Sequence, residues 1–274
     1  MCSGVRPDRE IVGDTVFHSS IGTKTTNRKG VKLLRILQTE VVKITKALWY
    51  VDVQDCVLCG GEYAGICPTC TTKYLHPNLG RCRGCGKLIS LEKTHCHDCR
   101  AGRGPKHLDQ VTAWGHYSGE LRKFIQNVKF KAHPQCLLEI ARPFSDWAIS
   151  QLPAVDGIVA VPMHASRLAE RGFNQAEVIS SALHWELGLP IIRGVERIQS
   201  TSSQIPLSRQ ERLHNLKGAF AVLQPKNIQG LSVWLVDDVT TTGATLEAVA
   251  EILRASGVQA IYGLCIAAGL DNET

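Results

Sequence analysis

Four Cys-x-x-Cys pairs, Cys56/Cys59, Cys67/Cys70, Cys82/Cys85 and Cys96/Cys99, crowd one short stretch and hold eight of the chain's eleven cysteines. A pair at this spacing presents two thiolates to one tetrahedral ion, and two pairs close a structural zinc site with no position left for water. The eight thiolates predict two structural zinc ions, each contributing about 10–16 kcal/mol of apparent binding energy to a module that unfolds without metal. Sequential pairing is expected: Cys56, Cys59, Cys67 and Cys70 on one ion, and Cys82, Cys85, Cys96 and Cys99 on the other. A cross-braced arrangement is the alternative. Iron–sulfur clusters favour other spacings. His95 and His97 flank Cys96 and read as bystanders, although either could replace a cysteine as ligand.

With 274 residues and 44% hydrophobic content, the chain can bury a sizeable core. Its formal charge of +6 permits anionic partners without requiring them. No stretch reaches the run of about 18 apolar residues of a membrane helix, and no signal-peptide core opens the chain, so no membrane span and a cytoplasmic address are expected. In a reducing compartment clustered cysteines point to metal before disulfides.

Residues 1–30 lack apolar periodicity and read as a disordered tail. Residues 31–55 form the next segment, an amphipathic helix with Val31, Leu34, Leu37, Val41, Ile44 and Leu48 on its apolar stripe. Its opposite face is basic. The cysteine block fills 56–100, and "AGRGPKH", from Ala101, reads as a linker into a domain at 101–270. That domain alternates strands and helices: "VTAWGHY", a helix capped by Ser118, a helix over Leu137–Gln151, and the strand "GIVAVP". A helix near Gln175–Leu187, short strands near Ile191 and Phe220, the strand "VWLV", a helix over 245–255 and "AIYGLCIAA" follow. Such alternation predicts an α/β fold with a mostly parallel sheet and helices on both faces.

The stretch "VWLVDDVTTTGAT" sets two carboxylates, Asp237 and Asp238, at the expected end of a buried strand, then Val239, Thr240, Thr241, Thr242, Gly243, Ala244 and Thr245 before a helix. A helix N-terminus favours phosphate through its free amides and its dipole, and glycine lets the anion approach closely. Acids beside a phosphate cradle repel it unless they face vicinal sugar hydroxyls or a bridging Mg²⁺. The combination predicts a site for a ribose 5-phosphate, with the acids on its 2- and 3-hydroxyls. A simple strand end with a helix cap is the bland alternative.

The same thirteen residues resemble the PRPP-binding motif of the type I phosphoribosyltransferases. With the CxxC pairs, "VPMHASRLAERGFNQAE" and "RIQSTSSQIPLSRQERLHNLKGAF", the resemblance extends to the ComF family, proteins linked to DNA uptake in natural competence and to use of DNA as a nutrient. The resemblance implies a type I phosphoribosyltransferase-like domain behind a small zinc module, binding PRPP with Mg²⁺. It implies catalytic roles for Asp237 and Asp238, and a pyrophosphate loop running from Met163 through His164, Ala165 and Ser166 to Arg167, with Arg167 and Arg171 facing the anion. A mobile loop would offer Arg197, Thr201, Gln204, Arg209 and Arg212. Ala165 and Ser166 stand where the family often has a further base after the histidine.

If the protein turns over, the implied reaction is pentosyl transfer, with the acceptor unspecified by the sequence. The competing class is a non-catalytic single-stranded DNA-binding or adaptor protein of the competence machinery, whose PRPP site is regulatory or vestigial. For that class "NVKFKAHPQ" offers Lys129 and Lys131 around Phe130, cations beside a ring. Cys265, inside an apolar strand, reads as a buried hydrophobe.

Overall fold

The computed structural model describes residues 55–75, 78–131, 134–199 and 215–271. The expected tail and the expected helix over 31–55 lie outside these, apart from Asp55. The cysteine module contains a one-turn helix α1 (Pro68–Cys70), a π-helical turn (Thr71–Leu75), a small antiparallel pair β1 (Gly80–Arg81) and β2 (Leu88–Ile89), and α2 (His97–Arg100). Then come β3 (Gln110–His116), α3 (Gly119–Lys131), α4 (Cys136–Glu139), α5 (Ala141–Gln151), β4 (Gly157–Ala160), α6 (Ala165–Arg171) and α7 (Gln175–Leu187). A ribbon of β5 (Val195–Arg197) and β6 (Phe220–Val222) precedes β7 (Ser232–Thr240), α8 (Ala244–Ala255) and β8 (Ala260–Ala268).

The fold is mixed α/β, with a four-stranded sheet in the order β3-β8-β7-β4 in which every neighbouring pair is parallel. Burial on both faces explains why "VWLV" is continuously apolar. Trp234 and Val236 join one core cluster with Phe124, Ile125 and Val128 of α3, Phe144 of α5 and Ile179 and Leu183 of α7. Val233 and Leu235 join the other, under Leu246, Val249 and Leu253 of α8. Each such side chain stabilises the fold by about 1.5–3 kcal/mol relative to exposure. The indole of Trp234 also donates to Pro153 O at 3.0 Å.

Two details correct the sequence-based expectation. The helix expected over Leu137–Gln151 breaks at Ile140 into α4 and α5. Pro143 causes this: it has no N–H to continue a helix from α4, and is tolerated only within the first turn of a new one. The strand near Phe220 leaves the main sheet and pairs antiparallel with β5. The segment at Ile191 contributes a single bridge to Ile158 on the outer edge of β4.

The cysteine module packs directly on the domain. Tyr74 and Leu75 lie in the same core cluster as Trp114 and Leu121. Gly115 makes this approach possible, because a Cβ there would fall 2.6 Å from Tyr74 O and 2.5 Å from Leu121 Cδ2. Arg81 donates to the carbonyls of Ala113 (2.6 Å) and Trp114 (2.8 Å) on edge strand β3, and its guanidinium lies over the Trp147 ring. Unpaired edge carbonyls are thereby covered.

Candidate functional site

The mouth of the sheet is built around β7. This strand runs past the expected end at Val236 to Thr240, so both carboxylates lie within it. Side chains alternate along a strand, which sends neighbouring residues to opposite faces. Asp237 continues the face of Val233 and Leu235 and stands in register with Cys265, while Asp238 continues the face of Trp234 and Val236 toward α3. Beyond Thr240 the chain turns through Thr241 and Thr242 to Gly243, whose φ of 73° is a left-handed conformation that glycine adopts without strain. The helix α8 starts at Ala244, with Thr245 in its first turn, and Thr242 Oγ1 accepts from Ala244 N at 3.3 Å.

The two acids sit in different electrostatic settings. Asp238 Oδ1 accepts from Val239 N at 2.9 Å, and Oδ2 forms an ion pair with Lys129 Nζ at 2.5 Å. Asp237 Oδ1 accepts from Asp238 N at 2.8 Å. Burial first, and the Asp238 charge second, push the Asp237 carboxyl up to about 8, against the pull of the Asp238 amide and Lys129. Burial, then Asp237 and Asp238, also raise the Cys265 thiol well above its usual value. That thiol stays protonated, consistent with a buried hydrophobe.

Two further loops meet this mouth. After β4, the chain passes buried Val161 and Pro162 to half-buried Met163 and His164. His164 is the N-cap of α6: its Nδ1 accepts from Ser166 N at 3.2 Å and lies 2.8 Å from Ser166 Oγ. Arg167 is exposed, whereas half-buried Arg171 donates to Gln175 Oε1 at 3.0 Å on α7. From the β5 stem, Arg197 lies over the Phe220 ring. Burial lowers its guanidinium, the charge of Arg167 lowers it further, and Asp237 opposes both. The charges of Arg167 and Asp237 therefore both reach Arg197, and Arg171 is engaged by Gln175. Thr201, Gln204, Arg209 and Arg212 lie outside the described residues.

The cysteines gather in sequential order. Cys56, Cys59, Cys67 and Cys70 form one cluster and Cys82, Cys85, Cys96 and Cys99 the other, with all sulfurs in each within 4.8 Å of one another. Cys82, Cys85 and Cys96 are fully buried. Four converging sulfurs fit a soft tetrahedral ion, largely enclosed in the second set and partly open in the first, where Cys59 is exposed; within the second set they drive one another's proton affinities apart. His95 and His97 belong to neither cluster. Among the described residues, no helix is long and apolar enough to cross a membrane.

The family assignment rests on sequence similarity over most of the chain. Residues 155–272 match the model of the phosphoribosyl transferase domain, which spans β4 to the end of β8 and so contains both loops and β7. The chain is 31% identical over 217 residues to competence protein F of Haemophilus influenzae, covering 75% of this chain and 93% of that protein. It belongs to the competence protein F family. The DNA utilization protein YhgH of Escherichia coli (strain K12) is 29% identical over 223 residues, covering 74% of this chain and 96% of that protein. Competence protein ComFC of Bacillus subtilis is 26% identical over 197 residues, covering 70% and 79%. The parallel sheet is thus a type I phosphoribosyltransferase-like fold preceded by a cysteine-rich cluster of possible metal ligands.

Sequence reasoning placed Lys129 in a cationic stretch for nucleic acid; the structure places it on Asp238. Nothing in the sequence marks it. It lies beside the apolar stripe of α3, and only the packing of α3 over β7 brings it to the carboxylate.

Proposed function

We propose that this competence and DNA-utilisation family protein binds PRPP with Mg²⁺ at the C-terminal mouth of β7, in support of the uptake or use of transforming DNA. Support for the reading comes from one arrangement: Asp237 lies on the strand that leads into a glycine-led helix start, and its charge and that of Arg167 on α6 both reach Arg197 on β5. Each part suits one portion of the ligand. The first turn of α8 and the Thr240–Thr245 loop offer amides and hydroxyls to the 5-phosphate. Asp237 and Asp238 accept from the ribose hydroxyls, and Arg167 and Arg197 take the pyrophosphate. Bound Mg²⁺, for which carboxylate and phosphate oxygens are the hard donors, would neutralise the leaving pyrophosphate.

In turnover, pyrophosphate departs with the bonding pair and positive charge develops at the anomeric carbon. Asp238, and Asp237 once the bound ligand has displaced its proton, then stand as preorganised anions beside that charge. The two metal clusters are structural zinc sites in this reading, since four thiolates leave no open position. The adaptor reading loses one support: Lys129 is spent on Asp238 and is not presented for a nucleic-acid backbone.

Titration of PRPP with Mg²⁺ against the wild type and the Asp237→Asn, Asp238→Asn double variant tests the site. Affinity is expected to fall on the order of a hundredfold, the scale of losing hydrogen bonds to two charged acceptors. Equal affinity in the two proteins would remove the carboxylate assignment. A pyrophosphate-release screen across bases and nucleotides then separates turnover from binding alone.

A further inference from the structure

The two adjacent carboxylates differ in what already occupies them. Both oxygens of Asp238 are engaged, Oδ1 by Val239 N and Oδ2 by the ammonium of Lys129 at 2.5 Å. The pair is sheltered: the Lys129 side chain is 22% exposed and that of Asp238 13%. Lys129 enters on α3, whose Val128 and Ile125 are packed in the core, so the helix holds its Cα in place. Asp237 takes Asp238 N on its Oδ1, and its charge reaches Arg197.

Oδ2 lies sealed beneath Lys129 with no exposed surface, so a ribose hydroxyl would meet Asp238 at Oδ1, which has a second lone pair beside the one that takes Val239 N. Asp238 cannot do the same for a divalent cation. Mg²⁺ on Asp238 would stand within a few ångströms of an ammonium in a site where water screens poorly, and the repulsion is twice that between unit charges.

The geometry points to Lys129 as a specificity-determining residue that makes Asp238 an acceptor for sugar hydroxyls and bars metal from it. Any cation then reaches the site together with the phosphates and not by way of Asp238. This inference rests on the pentose-phosphate reading for its hydroxyl ligand, and its metal-exclusion half can be measured without PRPP.

Mn²⁺ serves as the probe. Free Mn²⁺ is followed by electron paramagnetic resonance in titrations of the full chain with its cysteine clusters loaded with zinc and no PRPP present. The wild type and Lys129→Arg, which keeps the cation, should bind Mn²⁺ weakly and alike. Lys129→Met should bind it on the order of tenfold more tightly or better, through a carboxylate relieved of its counter-ion. The double variant Lys129→Met, Asp238→Asn, a neutral pair of similar size that guards against a folding defect, should return to the wild-type value. Unchanged affinity in Lys129→Met, or a gain that survives Asp238→Asn, overturns the role of Lys129. Failure of the wild type to bind PRPP with Mg²⁺ in a separate calorimetric titration overturns the pentose-phosphate reading, and with it the hydroxyl assignment alone.

Discussion

Asp237 is a carboxylate whose chemistry is strongly altered by its surroundings. Burial and the adjacent Asp238 charge raise it to about 8, so at neutral pH the ligand-free protein keeps a proton there. The unfolded chain ionises the same carboxyl near its ordinary value, and the folded state therefore binds the extra proton. This contribution to stability is full below about pH 4 and is lost as pH rises toward about 8. Asp237→Asn removes the titration. Denaturant unfolding of both proteins at pH 5 and pH 8.5 should show the variant gaining on the wild type at the higher pH; a gap that is constant or shrinks would contradict the assignment. Much of this was not legible in the sequence, where "DD" reads as two equivalent acids. Lys129 distinguishes them, and it arrives from a helix over a hundred residues earlier in the chain.

At the scale of elements, the decisive contacts are close backbone approaches. Helix α3 and the π-helical turn of the cysteine module meet β3 at Gly115, where a methyl group would press on both Tyr74 O and Leu121. Gly115→Ala should destabilise the protein by about 1–3 kcal/mol, the usual cost of overpacking, since one of the two clashing atoms is backbone. A midpoint in urea unchanged from wild type would show that the module is held less tightly than this packing implies. The break between α4 and α5 is a second element-level fact. Leu137, Phe144 and Ala148 fit one helical period, but Pro143 cannot donate, and that single missing N–H outweighs the periodicity.

Across the whole molecule, the second cysteine cluster is tied to the candidate phosphate loop. His97 N, next to ligand Cys96, donates to Asp271 Oδ2 at 3.0 Å, and Asp271 N donates to Leu88 O at 2.9 Å. Leu88 N donates to Gly269 O, and Gly269 N to Thr240 O, both at 3.0 Å. Lys87 adds an ion pair to Asp98 at 3.0 Å. Because the first cluster shares its core with Trp114 and Leu121, metal removal should not leave an intact domain behind. In calorimetry with a strong zinc chelator, the main unfolding transition is expected to shift down by ten degrees or more, on the order of several kcal/mol for a chain this size. An unshifted main transition, with only a small separate one lost, would mean that the module folds independently.

The sequence by itself determined what is local and periodic: the four thiolate pairs, the alternation of strands and helices, the apolar run that demands a two-sided sheet, and the glycine and threonines before α8. These follow from spacing, which the chain carries along its length. Tertiary structure decided what depends on distant partners. It set the sequential grouping of the cysteines, the exit of β6 from the main sheet, and the engagement of Arg171 by Gln175 while the charges of Arg167 and Asp237 both reach Arg197. It also seated Lys129 on one of two neighbouring acids. The physical reason is that a charge's role depends on which opposite charge lies within a few ångströms and how much water lies between, and neither is encoded at any fixed separation along the chain.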